Sequence, residues 1–137
     1  RALLAFRRAS AEVSAATAEP PCVLCRWGEA LALGPNLNSF DEPRLLASIP
    51  SAFQKAQAAL QLLESSPTLS PLECGLVRAL KHRYLPTAAE YVMNESRLTH
   101  SYALEMERLL ADVETTDANY ANVAALTADA LMNTCPR

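Results

Sequence analysis

Residues 21–38 have the sequence PCVLCRWGEALALGPNLN, and this stretch decides the fold class. Pro21 suits the first turn of a helix, and the Gly-Pro-Asn turn at 34–36 is typical of a helix end. Between them the apolar residues recur at the spacing of one helical face. Trp27 is followed by Gly28, a small residue in mid-helix where a second helix can approach closely. The stretch therefore predicts the first helix of a helix–turn–helix unit.

The composition of the whole chain favours helices as well. Its 137 residues suit one domain or a few repeats of a longer array, and half of them are hydrophobic. Much of that half is alanine, which favours the helix and lets helices approach closely. The three glycines are too few for a β-protein with many tight turns, and the nine prolines lie mostly between the predicted helices. No segment alternates strictly enough to be a strand, so we predict an all-α chain.

Six helices are predicted from the periodicity and from the start and stop signals. The clearest start is Ser70-Pro71-Leu72-Glu73, where serine at the N-cap and glutamate three residues later form a capping box. The start of the fifth helix is open between Thr87 and Asn94, and Asp117 is the predicted N-cap of the sixth. Between the second and third helices we expect an irregular stretch with a short helical turn at 42–47. The predicted helices span about 1–17, 21–33, 50–64, 70–84, 87 or 94 to 114, and 118–134.

Charge and motifs exclude several classes of function. A formal net charge of −3 provides no electrostatic footprint for nucleic acid. No apolar run approaches the roughly 18 residues that a membrane span needs. The sequence contains no nucleophile-elbow, zinc-protease or phosphate-loop motif, so we expect no catalytic site, no metal and no cofactor. No signal peptide or initiator methionine is visible, and we expect a cytoplasmic piece of a longer protein.

Cys22 and Cys25 form a CxxC motif that places both sulfurs on one helical face. A zinc site needs four ligands, but the other two cysteines, Cys74 and Cys135, are isolated. Thioredoxin-type chemistry needs CxxC at a helix N-terminus after a strand, and the strand is missing. We therefore expect reduced thiols that behave as small hydrophobes. A thiol- or metal-dependent role of the pair is the alternative.

Three segments share a layout of N-terminal cap, small residue and large apolar residue. They are 22–38, 70–84 and 123–136, and their small residues Gly28, Ala79 and Ala128 lie about 50 residues apart. In this layout the chain resembles the tetratricopeptide-repeat family, in a subgroup with long loops between the helices. The usual repeat is about 34 residues long, whereas these units are about 50 residues long, and the additional residues lie in the predicted loops. Alanine replaces glycine in the second and third segments.

The resemblance implies a single domain, 1–137, of antiparallel helix pairs stacked as a short α-solenoid. Such an array has a continuous core, and each unit packs on the next. The first helix would then end a preceding repeat, and the last would begin a further one. In this scheme the units are 1–17, 21–66, 70–114 and 117–134.

The resemblance also implies a scaffold that binds a protein or peptide in a concave groove lined by the second, fourth and sixth helices. The side chains expected in this groove are Cys22, Cys25 and Glu29, then Glu73, Leu80 and Arg83, and then Asn122 and Asp129. Asn36 and Asn38 are ordinary turn residues, but their long loop offers a second candidate contact with the partner. The remaining alternative is a segment that only supports neighbouring repeats.

Overall fold

The structure is a computed structural model, and it describes residues 2–16, 22–34, 42–65 and 69–134. All regular secondary structure in these ranges is helical, which confirms the predicted all-α class. A short 3₁₀ turn, Leu80–His82, follows the fourth helix. The six α-helices of the described residues are α1 (Ala2–Ala16), α2 (Val23–Leu33), α3 (Glu42–Ser65), α4 (Pro71–Ala79), α5 (Ala88–Ala111) and α6 (Tyr120–Met132).

Helix α3 differs from its prediction because it begins at Glu42 and continues through Pro50. The sequence placed the helix start at Pro50 and allowed only a helical turn before it. Proline has no N–H, so the helix lacks one hydrogen bond to the carbonyl four residues earlier. Burial on both sides of the proline offsets this loss, since Ile49 and Ala52 are each 0% exposed. The buried stripe of α3 continues with the same spacing on both sides of Pro50, through Leu45, Ile49, Ala52, Ala56 and Ala59.

The predicted capping box of α4 is confirmed. Ser70 Oγ accepts a hydrogen bond from the Glu73 backbone N–H at 3.3 Å, and Glu73 Oε2 accepts one from the Ser70 backbone N–H at 2.8 Å. The α-helix ends at Ala79 rather than at Tyr84, because the chain tightens into the 3₁₀ turn. The capping box thus supplies acceptors for two backbone N–H groups at the start of α4 that have no partner within the helix itself.

A side-chain acceptor caps the start of α5, whereas the start of α6 has no side-chain cap. Thr87 is the N-cap of α5, and its Oγ1 accepts from the Glu90 backbone N–H at 3.2 Å, so Thr87 rather than Asn94 begins the helix. Asp117 is not the N-cap of α6, because its Oδ1 accepts from the Asn119 backbone N–H at 2.7 Å and closes the preceding turn. The N-cap is Asn119, two residues later than predicted.

The helices pack around one buried cluster in which α2 is the most enclosed. Helix α2 packs on α1 and α3 and also contacts α4, while α5 packs on α6, α4 and α3. The buried residues of helices α2 and α3 include small ones, Ala30 in α2 and Ala52, Ala56 and Ala59 in α3, which allow packed helices to approach closely. At the other end, Thr127 Oγ1 of α6 donates to the Met106 carbonyl of α5 at 3.2 Å and joins those helices.

Gly28 marks a close helix approach, as the sequence predicts. A Cβ built on it would meet the ring of Phe6 from α1. Ala79 is likewise buried, at 3% exposed. The third aligned position differs, because Ala128 is exposed and the contact face of α6 includes Thr127 and Ala130 instead. The small-residue pattern thus marks close packing in α2 and α4 but not in α6.

Ser70→Ala is expected to destabilise the fold by about 1 kcal/mol, since it removes the N-cap acceptor. Ser51→Ala is the matched control, because Ser51 is exposed inside α3 and should change stability by less than about 0.5 kcal/mol. Urea unfolding followed by circular dichroism measures both. Equal midpoints for the two variants would contradict a stabilising capping box.

Gly28→Ala is expected to destabilise by about 1–3 kcal/mol, because the added methyl displaces the Phe6 ring. In a Phe6→Ala background the same substitution should be neutral, or stabilising by up to about 1 kcal/mol through the helix preference of alanine. A double-mutant cycle on unfolding free energies isolates this coupling. The same cost in both backgrounds would show that Phe6 is not the obstacle.

Candidate functional site

A disulfide joins Cys22 and Cys25 at the N-terminus of α2, which corrects the expectation of reduced thiols. Cys22 is the N-cap, and its Sγ accepts from the Cys25 backbone N–H at 3.1 Å. Residues three apart at a helix start lie on one side of the helix, so the two sulfurs can meet. Cys25 is 6% exposed, whereas Cys22 is only half-buried. The two residues of the pair therefore differ in exposure.

One turn beyond Cys25 on the same side of α2 lies Glu29, a charged residue that is 1% exposed. Its carboxylate pairs with Lys55 Nζ of α3 at 2.7 Å and with Arg26 at 3.3 Å. Arg7 of α1 lies at 3.9 Å. These four residues, the Glu29 cluster, contain three cations and one anion.

Among the described residues, Arg83 is another buried charge, and it lies in an aromatic environment, the Arg83 cluster of Arg83, Tyr84, Tyr102 and Asp129. Its guanidinium carbon is 4.5 Å from the centroid of the Tyr102 ring and 5.8 Å from that of Tyr84. Cation–π attraction of this kind strengthens when water is excluded. The buried cation thus joins the 3₁₀ turn to α5.

The protonation states of this cluster follow from burial and charge. Burial lowers the pKa of Arg83, but Tyr84, Tyr102 and Asp129 together outweigh it and leave the pKa raised. Burial raises the pKa of both tyrosines above the ordinary value, and Arg83 opposes this only in part. The phenols are therefore neutral at neutral pH. Tyr84 Oη donates to the Ala30 carbonyl of α2 at 2.9 Å.

The structure places the predicted groove residues in different environments. Glu29, Leu80 and Arg83 lie in the interior, with Leu80 at 1% exposed, so none of them lines an open groove in this conformation. Glu73 is occupied by the α4 capping box. Asn122 is exposed and Asp129 is half-buried, both on α6. Asn36 and Asn38 lie outside the described residues.

Sequence reasoning missed the cations that neutralise Glu29. Cys22, Cys25 and Glu29 could be placed together from their spacing, and the structure does place them on one side of α2. Arg7 and Lys55 belong to other helices, and no local signal identifies them as partners of Glu29. Only the packing of α1 and α3 on α2 brings them together.

Helix α5 presents an exposed surface that the sequence analysis also missed. Val92 is 51% exposed near the start of α5, whereas Met93 and Leu104, at 76% and 54% exposed, lie on the side of the helix opposite its core stripe. Arg97 and His100 lie between them and are exposed as well. We call Met93, Ser96, Arg97, His100 and Leu104 the outward face of α5. A shallow depression lined by 92–97 and His100 follows its first half.

Three further observations apply to the described residues. No three or more histidine, cysteine, aspartate or glutamate side chains there lie close enough together to hold a metal ion. Among the helices in that part of the chain, none combines the length and the apolar character needed to cross a bilayer. Comparison with known protein families matches none of them, and comparisons with curated proteins and with solved structures find no match.

Lys55→Met is expected to destabilise the fold by about 2 kcal/mol, because it leaves the buried Glu29 carboxylate without its nearest cation. Arg7→Met is the matched control. Its side chain is 54% exposed and 3.9 Å from the carboxylate, so the loss should stay below about 1 kcal/mol. Thermal and urea unfolding give both values, and equal losses would mean that burial of the pair does not matter.

Proposed function

We propose that this chain is a protein-interaction module of the tetratricopeptide-like kind, with helix pairs stacked as a short α-solenoid. Its partner is a protein that binds the outward face of α5. The observation that carries this proposal is the exposure of large apolar side chains on that face, led by Met93 at 76%. Scattered apolar residues are ordinary on protein surfaces, but Met93 and Leu104 lie on one stripe of a single helix, and an apolar stripe of this kind favours a binding surface.

The spacing on the outward face suits recognition of a helix or a groove. Met93, Arg97, His100 and Leu104 follow one another at steps of four, three and four residues, so they form one stripe along α5. Methionine adapts its shape to a partner surface because its side chain is unbranched and polarisable. Arg97 adds a positive charge between the apolar residues, and this favours a partner with carboxylates beside its apolar anchors.

The groove implied by the family resemblance is a weaker candidate for the same function. Side chains expected in it fill the interior, where Leu80 packs in the core and Arg83 lies over Tyr102. Asn122 and Asp129 of α6 are the groove residues that retain access to solvent. We therefore assign the partner to α5, and the α6 residues are a secondary contact.

The test uses the full-length protein with Met93→Glu and Leu104→Glu combined. Burying each of these side chains in an interface is worth about 1.5–3 kcal/mol, and two charges remove this gain. When a photoreactive residue replaces Ser96, the yield of the cross-linked partner should fall at least about tenfold in this double variant. Stability should change little because both side chains are exposed.

Leu4→Glu is the matched control, since Leu4 is 59% exposed on α1 and lies outside the outward face of α5. It should leave the cross-linked complex intact. A complex that survives the double variant would overturn the assignment to α5. Absence of any cross-linked protein at Ser96 would favour a purely structural segment.

A further inference from the structure

We propose that Cys22 and Cys25 are a redox-active pair that exchanges between disulfide and dithiol with the cysteine thiols of a polypeptide substrate. The Glu29 cluster stabilises the reduced form. This function is independent of binding at α5 and rests on a different part of the molecule. Four observations at the start of α2 support it: the position of the disulfide, the unequal access of its sulfurs, the helix N-terminus and the excess of cations.

The position of the disulfide argues against a purely structural role. It joins residues three apart in sequence, within the first turn of one helix. A disulfide stabilises a fold chiefly by restricting the unfolded chain, and the restriction is small when the closed loop is short. This bond ties together no separate elements, so the packing of α1, α2 and α3 does not depend on it.

The two sulfurs differ in the way that directional exchange requires. Cys22 is half-buried at the helix start, whereas Cys25 is 6% exposed inside the core contact of α2. An incoming thiolate therefore reaches Cys22 and not Cys25. Once released, Cys25 stays shielded from other reagents and is held ready to attack Cys22 again.

Local electrostatics favour the thiolates that form on reduction. The Cys25 backbone N–H donates to Cys22 Sγ, and the dipole of α2 favours negative charge at its N-terminus. Arg26 lies four residues after Cys22 on the same side of the helix. Arg26, Lys55 and Arg7 surround the single carboxylate of Glu29, so the Glu29 cluster, one turn along α2 from Cys25, carries more positive than negative groups. A negative charge on either sulfur is stabilised by this excess.

The exchange is balanced with a polypeptide dithiol as the reductant. One substrate thiolate attacks Cys22 Sγ, a bond forms between those sulfurs, and the Cys22–Cys25 bond breaks, leaving Cys25 as a thiolate. The second substrate thiolate then attacks the substrate sulfur of the mixed disulfide and releases Cys22 as a thiolate. The substrate loses two electrons and becomes a disulfide, the pair gains them, and the two substrate protons pass to the released sulfurs through water. The reverse sequence reduces a substrate disulfide.

The experiment places the oxidised protein in glutathione buffers of varied redox ratio and, separately, with a peptide that carries two cysteine thiols. Alkylation and peptide mass mapping then report each cysteine. The pair should pass reversibly between disulfide and dithiol while helical circular dichroism is unchanged. The peptide should react faster than glutathione at equal thiol concentration. A faster reaction of glutathione would overturn the assignment of a polypeptide substrate.

Two single variants test the direction of attack. With the same peptide in its disulfide form, Cys25→Ala should accumulate a mixed disulfide between Cys22 and the peptide, because Cys22 displaces one peptide thiolate and the resolving thiol is gone. Cys22→Ser should form an adduct at Cys25 at least about tenfold more slowly, since this sulfur is buried and serine still caps α2. The variant that combines Cys22→Ser with Cys25→Ala is the control, because any adduct it forms arises at another thiol such as Cys74, which is a free thiol of the described residues.

Lys55→Met tests the contribution of the Glu29 cluster, with Arg7→Met as its control. Lys55→Met should shift the glutathione equilibrium several-fold toward the disulfide, and Arg7→Met should shift it less. A pair that stays oxidised until the protein unfolds would overturn the redox proposal. Equal adduct rates at Cys22 and Cys25 would overturn it as well, because they contradict the assigned direction of attack.

Discussion

The close packing of neighbouring elements against α2 is the constraint on which the rest of the structure depends. Phe6 of α1 occupies the space that a side chain at Gly28 would fill, and Tyr84 does the same at Gly34. The Tyr84 hydroxyl then donates to the Ala30 carbonyl within α2. A larger residue at either glycine would push these neighbours outward. Because of this close packing, the side chain of Tyr84 reaches the backbone of α2.

This close packing is also why two charged residues can be buried. Removing a carboxylate or a guanidinium from water costs several kcal/mol unless partners replace the lost hydration. Glu29 obtains three cations from two neighbouring helices and its own, and Arg83 obtains two aromatic faces and the nearby Asp129. Each set of partners exists only when the helices are packed. The buried charges therefore favour this arrangement over looser packings of the same helices.

The proposed binding face and the proposed redox pair lie on different helices and use different chemistry. The face on α5 depends on apolar side chains that the fold leaves in water, whereas the cysteine pair depends on a helix N-terminus and on charges gathered by packing. Loss of one would leave the other intact. The two proposals are compatible in a single protein whose partner is held on one surface and whose thiols react at another.

Features that depend on neighbouring residues could be predicted from the sequence. Helical periodicity placed α2, the serine and glutamate of the capping box started α4, and a small residue at Gly28 indicated a close approach. The prediction that α3 begins at Pro50 was wrong, because the burial of Ile49 and Ala52 outweighs the local preference of proline for a helix start. The prediction of Asp117 as the N-cap of α6 was wrong, because an aspartate carboxylate can close a turn as well as cap a helix, and here it closes the turn.

Tertiary structure decided everything that depends on residues distant in sequence. The cations around Glu29 come from α1 and α3, and the aromatic neighbours of Arg83 include Tyr102 from α5. It also decided which side of α5 faces water and which groove candidates are enclosed. Local patterns report the preferences of a short segment, but the burial and the partners of a side chain are set by which helices meet. Cys22 and Cys25 show both, since spacing put them on one face and packing made only one of them accessible.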